Sequence, residues 1–159
     1  MRVLHENVRV RVSAKADYAV RAALELAAAD GPVKGDRLAE AQDIPFKFLE
    51  NILIELRHHG IVRSQRGREG GYWLARPAEE VSIADVVRAV EGPIANVRGG
   101  PPEGVVYAGA AEQLGDVWIA VRANLRAVLE HVTLADVVGG TLPPAVAELT
   151  SDPDAWVTR

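Results

Sequence analysis

Between residues 35 and 75 the apolar residues change period once, and that change restricts the chain to few folds. Leu38 and Ala39 mark the inward side of a short helix from Gly35 to Gln42. Asp43-Ile44 then makes a tight turn, and Pro45 suits the first position of a further helix. That helix carries Phe48, Leu49, Ile52, Leu53 and Leu56 on one side, with Gly60 placed to end it in the left-handed conformation. From there the period falls to two. Residues 61–65 read as a strand, Arg66–Gly71 as a glycine-rich tip and residues 72–75 as the returning strand. Two short helices joined by a turn form a helix-turn-helix, and a hairpin directly behind one is a wing.

The flanking segments fit around this unit. Residues 8–12 alternate valine and arginine, as a short strand does. Ser13 is a natural N-cap for a helix in which Tyr18, Ala19, Ala22, Ala23, Leu26 and Ala27 recur at helical spacing, stopped by Asp30-Gly31-Pro32. Beyond the wing, Ser82 caps a helix from Ile83 to Val90 that ends at Gly92-Pro93. Residues 94–109 are rich in Gly and Pro, without a period, and read as a mobile loop. A long helix over about 110–131 carries a stripe of Leu114, Val117, Trp118, Val121, Leu125, Val128 and Leu129, which a second copy of the chain would bury most simply. Thr133 caps a last short helix, 134–138, and the tail from Gly139 reads as loosely held.

The expected fold class is therefore mainly α with a small β wing: a winged helix-turn-helix head plus a long dimerisation helix. The expected divisions are an N-terminal extension, 1–10; the head, 11–92; a flexible loop, 93–109; the dimerisation helix with the short C-terminal helix, 110–138; and a tail, 139–159.

Charge gives the first indication of function. The net charge is −4, but residues 1–72 hold 12 Lys and Arg against 10 Asp and Glu, while the remainder holds 6 against 12. Residues 45–76 alone contain Lys47, Arg57, Arg63, Arg66, Arg68 and Arg76 against Glu50, Glu55 and Glu69. A basic segment within an acidic chain suits a phosphate backbone. The chain has no cysteine, which removes disulfides, thiolate zinc sites and cysteine-held clusters together. No apolar run approaches the roughly 18 residues of a membrane span. His5, Glu6, Arg9 and Arg11 interrupt the first residues where a signal peptide would be apolar, so the expected location is the cytoplasm. The four histidines, His5, His58, His59 and His131, have no catalytic company, and no phosphate loop or metal-ligand spacing is present, so no enzyme, metal or cofactor is expected.

Three segments carry a family resemblance: RVSAKADYAVRAALELA (11–27), IPFKFLENILIELRHHGIVRSQRGREGGYWLARPAEEVSIADVVRAVEGP (44–93) and HVTLADVV (131–138). Together they resemble the Rrf2 family of winged-helix repressors over about residues 11–138. Members include an iron–sulfur regulator, a nitric-oxide sensor and a cysteine-metabolism repressor. Cluster-holding members carry three cysteines in the loop after the R-A-V-E-G segment; a gapless reading puts Gly99, Val105 and Ala111 there. Asp17 matches a cluster ligand of the nitric-oxide sensor, and without cysteines it reads as a surface acid.

The resemblance implies a homodimer bound to double-stranded DNA at an inverted repeat. In the third helix Lys47, Glu50 and Asn51 would meet the major groove: Lys47 at phosphate or guanine, Asn51 at adenine, Glu50 at a cytosine amino group. At the wing Arg66 would enter the minor groove, with Arg68 beside it, while Gly70 and Gly71 let the tip approach the backbone. Glu69 opposes that contact unless it points away. His58-His59 lie about 100° apart on a helix and cannot chelate one ion together. Trp73 and Trp118 read as core or dimer packing. The expected dimer contacts are Leu114, Val117, Trp118, Val121, Leu125 and Val128. Two other readings stand beside this one: a winged-helix module that docks a partner protein, and a small-molecule sensor with a pocket between the long helix and the head, near Trp118 and the 94–109 loop.

Overall fold

The computed structural model describes residues 12–159; the extension 1–10 and residues 8–11 of the expected strand lie outside them. Helix α1 (Ala14–Ala28) starts at Ser13, whose Oγ accepts from the Ala16 N–H at 3.0 Å. Its inward face is almost all alanine, with Ala19, Ala22 and Ala23 fully buried. Helices α2 (Gly35–Gln42) and α3 (Phe46–His58) pack on it, joined by Asp43 in the left-handed conformation. Gly60, at a φ of +73°, ends α3 as expected.

Strands β1 (Val62–Gln65) and β2 (Gly71–Leu74) pair antiparallel, with Val62 opposite Leu74 and Arg63 opposite Trp73. Tyr72 also exchanges both backbone hydrogen bonds with Val33, at 2.8 and 2.9 Å, which ties the wing to the segment before α2. Helix α4 (Ile83–Glu91) closes the other side of α1. The core is built from Leu38, Leu49, Ile52, Leu53, Leu56, Val62, Val81 and Val86, all essentially without solvent contact.

The expected loop after α4 is pinned rather than free. Ile94, Val97 and Pro102 are buried, and Val97 and Gly100 exchange backbone hydrogen bonds at 2.8 and 3.0 Å. Helix α5 (Leu114–Leu129) is shorter than the expected 110–131, because a 3₁₀ turn over Gly109–Ala111 precedes it. No residue of α5 is fully buried. Leu125 and Leu129 face the head, whereas Val117 is 51% exposed. Among the described residues no helix is long and apolar enough to cross a membrane.

Helix α6 (Leu134–Gly139), grouped by sequence with the long helix, belongs instead to the head core. Ser82 and Thr133 each head a capping box, with Asp85 and Asp136 as the reciprocal acceptors. The two caps pair with one another: Ile83 N–H donates to Val132 O and Leu134 N–H to Val81 O, both at 2.9 Å. This docking buries Leu134 completely against α1. The tail is also more ordered in its backbone than its composition implies, forming α7 (Pro144–Thr150) and a 3₁₀ turn at Pro153–Trp156. Pro at the first helical turn is the local signal for it.

Leu134→Ala should lower the unfolding free energy by about 2–5 kcal/mol, as expected for an emptied core site. Thr133→Ala should lower it by about 1 kcal/mol through the lost cap. Denaturant titration of the two variants checks both, and a surface-like loss for Leu134→Ala would contradict the assignment of α6 to the head.

Candidate nucleic-acid interface

Helix α3 separates its residues sharply. Leu49, Ile52, Leu53 and Leu56 are buried, while Lys47, Glu50 and Asn51 are exposed on the opposite side. Phe48 departs from expectation: it is 61% exposed rather than inward. One residue ahead of Leu49 it sits about 100° round the helix axis, at the edge of the buried stripe and beyond the cover of its neighbours. Phe46 is 47% exposed, so two aromatic rings flank Lys47 at the leading end of the helix. The signal for them was the pair F-x-F at a helix start, where a continuous inward face cannot hold both. Pro45 offers no side-chain cap, so the first N–H groups of α3 point outward without an intramolecular acceptor from the cap residue.

The wing tip is held in place by backbone contacts. Lys34 Nζ, at the start of α2, donates to the Gly67 carbonyl, and Gly70 N–H donates to the same carbonyl at 3.1 Å. Gly67 has a φ of +108°, which a side chain would oppose. Arg66 and Arg68 on either side are exposed. Gly70 and Gly71 are buried. A Cβ on Gly70 would lie 2.0 Å from the Gln65 carbonyl oxygen, and one on Gly71 would lie 2.7 Å from that of Val33. They are required for the hairpin to close, and Arg66 and Arg68 are presented as a result.

Trp73 is not a core residue. It lies on the outer face of the wing opposite Arg63, beside a cleft of about 430 Å³ also lined by Arg57 and Arg76. Arg57 donates to Ser64 Oγ at 3.1 Å, which orients its guanidinium along β1. This cluster of three arginines around an indole spans α3, β1 and the end of the wing, so only the fold brings it together. Among the described residues Lys47, Arg63, Arg66 and Arg68 enter no ion pair. Asp17 pairs with Arg21 at 2.9 Å, and His59 Nδ1 lies 2.9 Å from the Glu55 carbonyl oxygen, so neither stands ready as a ligand.

The family model that matches residues 12–140 is Rrf2, described as an iron-dependent transcriptional regulator. The chain is 57% identical over 145 residues to a candidate HTH-type transcriptional regulator of Mycobacterium tuberculosis, covering 90% of each. It is similar in structure to CymR, the global cysteine regulator of B. subtilis, at a TM-score of 0.71, 29% identity, and 84% and 99% coverage of the two chains. It is likewise similar to IscR of T. potens, at a TM-score of 0.65, 29% identity, and 94% and 93% coverage. The residues present do not fit an iron–sulfur cluster, which is held chiefly by cysteine thiolates. There is no cysteine, and among the described residues no three His, Asp or Glu side chains converge. With a family model spanning most of its length and a relative sharing more than half its residues, the chain belongs to the Rrf2 family of transcriptional regulators.

Proposed function

We propose that the protein is a cytoplasmic, homodimeric repressor that reads an inverted-repeat operator with α3 and the wing. Its family makes it a DNA-binding transcriptional regulator and not an enzyme. The observation that carries the finer reading is the set of unpaired cations, Lys47, Arg66 and Arg68, exposed at the leading end of α3 and the wing tip. In this reading Lys47, Glu50 and Asn51 face base edges in the major groove, and the rings of Phe46 and Phe48 offer apolar contact to thymine methyls. Arg66 enters the minor groove, with Arg68 on the adjoining phosphates. The uncapped N–H groups of α3 and the cleft of Arg57, Arg63 and Arg76 add attraction for phosphate that does not depend on sequence.

Dimerisation places two such surfaces on one duplex. The outward edge of α5 at Val117 is the natural contact, with Leu114, Trp118, Val121 and Val128 half-buried alongside it. Leu125, turned toward the head, contributes less.

Arg66→Ala removes one contact from each subunit. At about 1–2 kcal/mol per contact, operator affinity should fall roughly thirty- to nearly a thousandfold, with melting temperature little changed. Asn51→Ala should relax preference at one base pair per half-site, with a smaller loss on scrambled DNA. Titration of both variants against operator and scrambled duplex at physiological salt checks this; wild-type affinity in both would remove α3 and the wing from the DNA-reading surface.

Val117→Asp should yield a folded monomer, because burying an unpaired carboxylate in an apolar interface costs several kcal/mol. Sedimentation of wild type and variant at micromolar concentration decides it. A wild-type monomer would end the dimer reading.

A further inference from the structure

We propose that the cavity between the head and α5 is a binding site for a small, mainly apolar organic molecule that is neutral or carries one positive charge. The cavity measures about 420 Å³, within the roughly 300–1,000 Å³ usual for ligand sites. Val20 and Val87 form the wall on the head side, Ile94 that of the loop, and Leu125 and Leu129 that of α5. Apolar side chains facing one another across such a space lose the contacts that a closed core would give them. A ligand restores them.

The polar groups set the chemistry. Among the described residues of the lining, Asp17 and Glu91 are the charged ones, and none is a lysine or arginine. One Asp17 oxygen is held by Arg21 at 2.9 Å, and Glu91 Oε1 accepts from Ser13 Oγ, so both carboxylates are fixed at the margin with an oxygen to spare. Among the described lining residues an anionic ligand would meet two carboxylates, that of Asp17 offset by Arg21 and that of Glu91 by no cation. An ammonium or hydroxyl group would find acceptors. Asn96 also lines the space, and among the described residues its amide makes no hydrogen bond.

The loop that shapes the site is held in an unusual form. Ala95 and Arg98 have φ values of +59° and +52°, the left-handed region that residues with a Cβ avoid. The paired hydrogen bonds between Val97 and Gly100, and the burial of Ile94 and Val97, keep them there. Such conformations persist only where the surroundings impose them, and they gather around ligand sites.

One wall of the cavity, α1 with α4, packs directly against α3; the other wall is α5. A ligand gripping both fixes α5 relative to the reading helix, so its occupancy alters operator affinity. This coupling rests on the DNA-binding dimer proposed above, whereas the site itself does not.

The test uses the full chain and three probes on one frame: 4-phenylbutylamine, 4-phenylbutanol and 4-phenylbutyrate. Calorimetry should find the amine and the alcohol bound and the carboxylate at least tenfold weaker. Val87→Trp, with folding checked by circular dichroism, should abolish binding by filling the cavity, and Val106→Trp, at a site 94% exposed, should not. Glu91→Gln preserves the volume and should narrow the gap between amine and carboxylate severalfold. No binding of any probe, equal binding of all three, or binding that survives Val87→Trp in a folded protein would overturn the site. Operator titration with saturating amine should shift affinity at least fivefold. An unchanged affinity overturns the coupling and leaves the site. A protein that ignores operator DNA without any probe instead overturns the DNA reading.

Discussion

The head is organised by the alanine face of α1. Ala16, Ala19, Ala22 and Ala23 are at most 2% exposed, and α2, α3, α4, α6 and β2 all pack on this helix. Helices approach to 8–10 Å depending on the side chains between them, and alanine permits the near end of that range. A larger residue at Ala19, Ala22 or Ala23 would push away one of the elements packed on this helix. Polar contacts then fix the rotation of the neighbours. Lys15 pairs with Glu55 of α3 at 2.8 Å, and Arg21 donates at 2.7 Å to the Gln42 carbonyl, one of the unpaired acceptors at the end of α2. Arg21 also lies 4.9 Å above the Tyr18 ring, so one side chain joins an ion pair, a helix end and an aromatic face.

The elements of the head were legible because each has its own period and its own stop. Ser13, Ser82 and Thr133 all cap as the sequence implies, and Gly60 ends α3. What periodicity does not tell is which neighbour covers which part of an apolar stripe. Phe48 belongs to the stripe by spacing and lies in solvent by packing. Trp73 alternates correctly along its strand, but its side of the wing faces outward. Helix α6 follows α5 in sequence, yet the pairing of its cap with that of α4 folds it back into the core. Each of these depends on contacts between residues far apart in the chain. The exposure of Lys47, Glu50, Asn51, Arg66 and Arg68 was legible by another route, since exposure at a helix start and at a glycine-rich tip is a local property.

The charge asymmetry follows from the same packing. Several acids of the second half are engaged in building the protein. Asp85 and Asp136 complete capping boxes, and Glu130 accepts from Arg88, which ties the end of α5 to α4. That hydrogen bond, with the nearby Arg126 and His131, holds the Glu130 carboxyl below its ordinary range. Glu103 is lowered by a backbone hydrogen bond and by Arg122, which it meets at 2.6 Å beside α5. Arg88, Arg122 and Arg126 on this side are matched by acids. Among the described residues Lys47 of α3 and Arg63, Arg66 and Arg68 of the wing have no such partners, whereas Arg76 behind the wing meets Asp85 at 3.8 Å.

A net charge of −4 is therefore compatible with binding a polyanion, because attraction depends on the local field and not on the sum. At physiological ionic strength fields between exposed charges fade over about 8 Å, so the acidic half is screened from a duplex lying on α3 and the wing. In the proposed reading the matched acids cost little in affinity, while each unmatched cation that meets a phosphate displaces counterions. The same acidity defines what the cavity beside α5 accepts. Asp17 and Glu91 line that cavity, and among the described lining residues none belongs to α3 or the wing. In the proposed reading α1 serves both selections, since it lines the cavity and also packs against α3.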